Sequence, residues 1–308
     1  MTATPHVLFI FLDGIGLGAD DPDRNPFANA RMPLLNDLAG GRWLRGRPPL
    51  VGSSASFVPT DPRLGVAGRP QSATGQAAIL TGRNVPAAIG EHYGPRPNAA
   101  IRRILAEDNL FKQIVARGGT AALIDAYPPG FFQAVDRGKR LLSSIQQAVH
   151  DAKLPLFGED ALRRGEAMSP DWTGEGWRTR LGYDDTPVFT PQEAGRHLAG
   201  LARRRTFTFF SSWITDVLGH RGPFEQAVAF LERFDGVMAG LLETWEACDG
   251  LIVISSDHGN MEDLGTRKHT DNDVPTLVVG RGHGAFADGL TDLTDLAPRI
   301  LRALYPDS

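Results

Sequence analysis

Three acids and three histidines in this chain stand where apolar runs break, an arrangement that suits cation binding. Asp257 and His258 follow the run Leu251–Ile254 within Ser255-Ser256-Asp257-His258-Gly259-Asn260, and His269-Thr270 closes the loop beyond. Asp13 ends the run Val7–Leu12, and Asp216 follows the run Phe207–Ile214. Asp216 and His220 have D-x-x-x-H spacing, which brings two side chains onto one face of a helical turn. Taken singly each has a plain reading, since Asp-His-Gly also makes a polar turn and short motifs match by chance. Taken together they do not. Three carboxylates at one place repel and raise one another's pKa unless cations neutralise them. Six Asp and His ligands with one serine oxygen suit two divalent ions, and mixed oxygen and nitrogen donors suit Mn²⁺ or Zn²⁺.

The hydroxyl comes from Gly68–Arg83, where loop residues lead into an Ala-rich segment that should be helical, with Ser72 and Thr74 near its start. A serine there caps the helix at about 1 kcal/mol. The same geometry places a hydroxyl among helix N-terminal amides that attract a phosphate. A base or a metal ion is then needed to make it a nucleophile. Position alone does not separate Ser72 from Thr74.

The elements behind these residues read as buried strands. Val7–Leu12, Thr120–Ile124, Thr206–Ile214, Gly250–Ile254 and Val274–Val279 are short, β-branched or aromatic, and apolar without alternation, the pattern of strands covered on both faces. Helices alternate with them: Asn98–Gly118 as one long helix or two, Pro191–Arg204, Phe224–Trp245 as the longest, and Asp295–Tyr305 at the close. A short helix within Asn25–Leu38 begins near Pro33. This alternation implies right-handed crossovers and a mostly parallel sheet, whose ligands bind beyond the strands' carboxyl ends. The fold class is therefore α/β, a three-layer sandwich in a single unit over 1–308. Gly14, Gly16 and Gly18 after the first strand are misplaced for a dinucleotide fingerprint, because Asp13 precedes them where phosphates would sit. From Phe131 to about Thr190 the pattern changes. Leu141–Val149 looks helical and Ser169–Asp185 loop-like, so this stretch (131–190) reads as a small cap over the sheet. Of its arginines, Arg137, Arg140, Arg163, Arg164, Arg178 and Arg180, most are solvated, and one or two could clamp an anionic substrate.

With 308 residues, 42% hydrophobic, 22% charged and a net charge of −4, the chain offers no support for a nucleic-acid or membrane partner. Its one cysteine, Cys248, excludes an internal disulfide and reads as a small buried residue near a helix end. His6–Leu12 is too short and lacks the basic leader of a secretion signal, so the expectation is a cytoplasmic protein.

The residues together resemble the alkaline phosphatase superfamily, within it the branch of cofactor-independent phosphoglycerate mutase and phosphopentomutase. The resemblance covers Val7–Gly18, Asn25–Leu38, Gln71–Arg83, Asp216–His220, Asp257–Pro275 and the closing helix, with D-H-G-N…H-T…V-P the most specific part. It implies an alkaline phosphatase-like fold and a small phosphorylated substrate. It assigns Asp216, His220 and His269 to one metal ion and Asp13, Ser72, Asp257 and His258 to the other. It makes Ser72 rather than Thr74 the nucleophile that becomes phosphorylated. The chain departs from the branch in three ways. The large inserted substrate domain is missing, Gly75-Gln76 replaces the usual Gly-His, and no histidine follows Asp125 to shuttle protons. A mutase must keep water from its intermediate, so these departures favour hydrolysis of a phosphate ester, with mutase action or non-catalytic phospholigand binding as alternatives. Lys268, beside His269, is expected at the surface.

Overall fold

The computed structural model describes residues 6–245 and 250–306; Cys248 lies outside them. Among the described residues there are nine strands: β1 (His6–Leu12), β2 (Leu50–Val51), β3 (Ala55–Thr60), β4 (Ala121–Leu123), β5 (Ala126–Tyr127), β6 (Phe157–Gly158), β7 (Phe207–Ser212), β8 (Gly250–Ser255) and β9 (Val274–Gly280). Seven form one sheet in the order β2-β3-β9-β8-β1-β7-β4, and β5 pairs with β6 apart from it. β8, β1, β7 and β4 are mutually parallel. β9, β3 and β2 add antiparallel ladders on one side. The parallel array is thus confined to the half that carries the candidate ligands, and β2 and β3 were not anticipated from sequence.

Both faces of the central strands are covered, which explains their unbroken apolar sequence. Val7, Phe9 and Phe11 of β1 join Phe207, Phe209 and Val253 in one apolar layer, with the helices Ser72–Thr81, Ala99–Glu107, Leu110–Ala116 and Leu296–Leu304 upon it. Leu8, Ile10 and Leu12 point the other way, with Ile252 and Ile254, under the helices Pro191–Ala202 and Phe224–Thr244. Each such side chain, fully buried, stabilises by about 2 kcal/mol. The result is the three-layer α/β sandwich expected.

Some details decide between sequence expectations or differ from them. Asn98–Gly118 is two helices, because Asp108 leaves the helical conformation and Asn109 caps a second one through Lys112 N. The helix expected at Leu141–Val149 runs Ser144–Asp151, set by a capping box of Ser143 and Gln146. It belongs to the layer on the first face: Ile145, Ala148 and Val149 are buried there, and Ser144 Oγ donates to Ala73 O. Only the following part of the 131–190 stretch stands beside the sheet edge. There Ala161, Leu162, Ala167 and Trp177 form a small apolar cluster with Ala126, and a short helix, Glu175–Thr179, occupies the expected loop. Trp172 leaves that segment for the main core, stacking on Phe234 at 5.1 Å. Among the described residues no helix is long and apolar enough to cross a membrane.

Candidate metal centre

β8, β1 and β7 end side by side, with Phe11 opposite Ser255 and Leu12 opposite Ser212. Chain leaving three neighbouring strands at one height delivers its next side chains to one place. Asp13 and Asp257 come directly from β1 and β8. Asp216 comes from the first turn of the helix Ile214–Arg221, entered straight from β7, and His220 follows on the same face. His269 reaches back from the loop between β8 and β9.

All the candidate ligands meet here. Asp216 Oδ1 is 3.4 Å from His220 Nε2 and 3.7 Å from His269 Nε2. His258 Nε2 is 3.0 Å from Ser72 Oγ, 3.4 Å from Asp13 Oδ1 and 3.7 Å from Asp257 Oδ2. These are the two groups that the resemblance implies, and His258 stands at their boundary. Its ring stacks on His269 with centroids 3.7 Å apart, and one ligand atom each of Asp216, His258 and His269 lies within 4.8 Å of the others.

The donor set fits divalent cations. A main-chain carbonyl only accepts, so an imidazole facing one through Nδ1 carries a proton there and, when neutral or metal-bound, turns a lone pair on Nε2 toward the cluster. His220 meets Arg267 O at 3.1 Å, His258 meets Gly259 O at 3.3 Å, and His269 meets Pro70 O at 2.9 Å. The Nε2 atoms of His220 and His269 then face each other at 3.3 Å without a proton to share. Asp13 Oδ1 is buried with no hydrogen-bond partner. A cation at each group satisfies all of these atoms.

The electrostatics agree. Burial, with repulsion from Asp216, holds the Asp13 carboxyl above its ordinary range, although His258 draws it down. Burial and Asp13 push Asp257 well up. His258 is pushed down by burial, but Asp257, Asp13 and Asp216 outweigh this and bring it to about 10. His269, buried and beside His258, falls to about 4. Three carboxylates around one imidazole thus draw positive charge into a site where, among the described residues, no lysine or arginine side chain bonds to the cluster.

Ser72 is the first residue of its helix, not the cap. Gln71 holds the N-cap position with no side-chain bond, which frees the Ser72 hydroxyl for His258. Thr74 Oγ1 donates instead to Gln71 O at 3.1 Å and accepts from Tyr93 N at 3.2 Å. Two residues on a helix point about 200° apart, so only one of the two hydroxyls faces the cluster. The Thr74 and Gly75 amides are engaged by Tyr93 O and Gln71 O, leaving the Ala73 amide as the first-turn donor after Ser72. Gly75 lets the helix come close, since a Cβ there would lie 2.8 Å from Asp257 O. Gln76, where a histidine was expected, donates weakly to Asp257 Oδ2 at 3.3 Å.

Sequence reasoning missed Glu262. Its carboxylate is 1% exposed. It accepts from Gly16 N at 3.0 Å, Asn260 N at 2.7 Å, Asn272 Nδ2 at 3.0 Å and the Thr270 hydroxyl. One buried acid therefore ties the Asp13, Asp257–His258 and His269 loops together. Its signal was its place, an acid just beyond the Asp-His-Gly-Asn motif.

A cleft of about 620 Å³ opens from Ser72, Asp13 and Asp216. Of the six arginines singled out, Arg140 lines it, whereas Arg163 pairs with Glu159 and Asp185, and Arg164 with Glu166. Arg96, Arg221 and Trp213 line it unforeseen. Arg96 follows a Gly-Pro step and carries no periodic signal. Trp213, an aromatic where the chain leaves β7, offered one. Lys268 is exposed, as expected.

Comparison with known proteins agrees with this geometry. Residues 196–306 match the family model of the Metalloenzyme superfamily. A segment of 97 residues, 29% of the chain, is 35% identical to the 2,3-bisphosphoglycerate-independent phosphoglycerate mutase of Haloquadratum walsbyi. A segment of 100 residues, 30% of the chain, is 38% identical to that of Haloarcula marismortui. The matches span only 19% of either relative's length. Among solved structures, the PH0037 protein from Pyrococcus horikoshii aligns over 100% of this chain and 99% of its own, with TM-score 0.59 and 14% identity. The alkaline phosphatase from the Antarctic bacterium TAB5 aligns over 99% of both chains, with TM-score 0.51 and 11% identity. The last third of the chain thus matches the Metalloenzyme superfamily model, and the chain as a whole shares its fold with these two structures.

Proposed function

We propose that this protein is a metal-dependent phosphoryl-transfer enzyme that hydrolyses a small phosphate ester through a phosphoserine at Ser72. Asp216, His220 and His269 would hold one divalent ion, and Asp13, Ser72, Asp257 and His258 the other, with Mn²⁺ or Zn²⁺ suiting the donors. The observation that carries this reading is the Ser72 hydroxyl, turned away from capping its helix and set 3.0 Å from His258 Nε2 inside the ligand cluster. Bound there, the two ions supply charge for the phosphoryl oxygens and lower the pKa of the serine hydroxyl.

The chain's own residues do the rest. Ser72 Oγ attacks phosphorus in line, the ester oxygen leaves, and the phosphoryl group stays on the serine until an acceptor hydroxyl removes it. The Ala73 amide, at the positive end of the helix, is placed to hold a phosphoryl oxygen. Glu262 keeps the three ligand loops in register, and Gly75 sets the approach of Ser72 to Asp257. Water as acceptor is supported by the open cleft, which the modest segment from Phe157 to Phe189 flanks within a single folded unit. The likeness of the last third to phosphoglycerate mutases favours a second reading, in which a hydroxyl of the same substrate is the acceptor.

Ser72→Ala should lower turnover of an aryl phosphate by at least about a thousandfold with metal content kept. Acid quenching of the working enzyme should trap phosphate on Ser72, read by mass spectrometry. Unchanged turnover in the variant would move the nucleophile to Thr74 or to water. Free phosphate as product supports hydrolysis, and an isomerised substrate supports the mutase.

A further inference from the structure

The cleft beyond Ser72 is built unlike its floor. Arg96, Arg140 and Arg221 line it, and the acids in its lining are Asp13 and Asp216, both already in the ligand cluster. Among the described residues none of these three guanidinium groups has a carboxylate partner. Arg96 is half-buried, and burial and the neighbouring Arg140 both push its pKa down. Arg140 lies over the Phe131 ring at 5.1 Å. Two guanidinium groups held near each other without an anion are unfavourable unless a ligand supplies one. The transferring phosphoryl group needs little of that charge. With the Ser72 hydroxyl still protonated, as on substrate binding, two divalent ions against Asp13, Asp216 and Asp257 leave one net positive charge, which a phosphoryl dianion exceeds by a single unit. One guanidinium balances it, and the others remain.

Much of the remaining wall is apolar. Trp213 is 48% exposed and Leu181 50% exposed, and both line the cleft with Tyr127 and Trp177. Trp213 precedes the helix that carries Asp216, so its indole stands one helical turn from a ligand. Among the described residues it has no aromatic partner, whereas Tyr127 already stacks on Phe131 and Trp177 lies against Tyr183. An exposed planar ring beside an apolar wall suits a planar ligand.

We propose that the cleft selects phosphate esters whose leaving group is a planar aromatic ring bearing a second anion, the ring against Trp213 and the anion between Arg96 and Arg140. This inference rests on the phosphoryl-transfer reading and names its substrate class. An aliphatic phosphocarboxylate would satisfy the arginines and leave the indole bare.

Non-hydrolysable phosphonates test binding without interference from leaving-group reactivity. Calorimetry and tryptophan quenching on the metal-loaded protein should rank para-carboxyphenylphosphonate over phenylphosphonate, and phenylphosphonate over methylphosphonate, by about tenfold at each step. In Arg140→Ala or Arg96→Ala the first step should vanish, while Arg140→Lys keeps part of it. Trp213→Ala should weaken both aryl compounds far more than methylphosphonate. Equal affinity for all three compounds would overturn the proposal. So would arginine variants that lose methylphosphonate as strongly as the carboxylated ligand, because the arginines would then grip the phosphoryl group itself. Turnover of phosphate esters without regard to the leaving group sinks this inference and spares the functional reading. Absence of both turnover and phosphonate binding sinks both.

Discussion

Asp125 shows what one buried residue does to the pH behaviour of the molecule. It follows β4, is fully buried, and holds Ser211 N at 2.8 Å, the Ser211 hydroxyl and the Tyr127 hydroxyl. Burial outweighs those bonds and raises its pKa to about 7. A carboxyl whose folded pKa exceeds its unfolded one binds its proton more tightly when folded, so stability falls as pH rises between the two values. The window runs from about 4 to about 7, and the full shift is worth at most about 4 kcal/mol. Asp125→Asn should remove this slope: the difference in unfolding free energy between variant and parent should grow in the variant's favour from pH 4 to 7 and then level off. A constant difference would show that folding leaves the pKa of Asp125 unshifted. Glu262 makes a complementary case. Glu262→Gln turns one acceptor oxygen into a donor facing donors, which should cost about 2–3 kcal/mol of stability. Because Glu262 ties together loops that carry ligands, metal affinity measured by calorimetry should also fall by about tenfold to a hundredfold. Asp13, Asp216 and Asp257 were legible in sequence because each follows an apolar run, His258 and His220 by their spacing from those acids, and His269 by its place at the end of the loop beyond. Glu262 and Arg96 were not, since an acid or a guanidinium in a loop shows its purpose only once its partners are placed.

At the scale of elements, the helices Pro191–Ala202 and Phe224–Thr244 pack with their backbones nearly touching. A Cβ on Gly195 would overlap Val237 O, and one on Gly240 would overlap Gln192 O. Backbone cannot yield as a flexible side chain can. Gly195→Ala should therefore destabilise by about 1–3 kcal/mol, despite alanine's better helix propensity of about 1 kcal/mol. Chemical denaturation reads the outcome, and a stabilised variant would mean that the helices separate freely. The sequence pattern gave the existence of these helices and of the buried strands through run length and periodicity. It did not give the antiparallel edge. β9 is as apolar as the parallel strands, and its direction shows only once it is paired with β8 and with β3, a partner far away in the chain. The supposed cap was misread in part for a similar reason. Ser144–Asp151 carries an amphipathic pattern that any helix on a sheet would show, so its place in the core layer is a tertiary fact.

For the molecule as a whole, the ligand cluster is also a joint. β1, β7 and β8 each bring an acid to it directly or through the next turn, and the Ser72 helix and the His269 loop close around them. Without cations, Asp13, Asp216 and Asp257 repel one another, and Asp13 and Asp257 are held above their ordinary range. Part of the fold's stability should then come from metal through mass action. An ion that binds only the folded chain adds about 2.7 kcal/mol at a hundredfold excess over its dissociation constant. For a chain of this size each kcal/mol moves the melting temperature by about 2 °C, so two ions together should be worth about 10 °C. Chelation followed by calorimetry should show that drop, and adding Mn²⁺ or Zn²⁺ should reverse it. About half of that drop should be missing in Asp257→Asn, where one of the two sites has lost a charged ligand, while Ser72→Ala should keep most of it. Identical melting with and without chelator, at full metal content before treatment, would mean that the ions sit apart from the joint. The fold would then need another account of why three carboxylates share one edge.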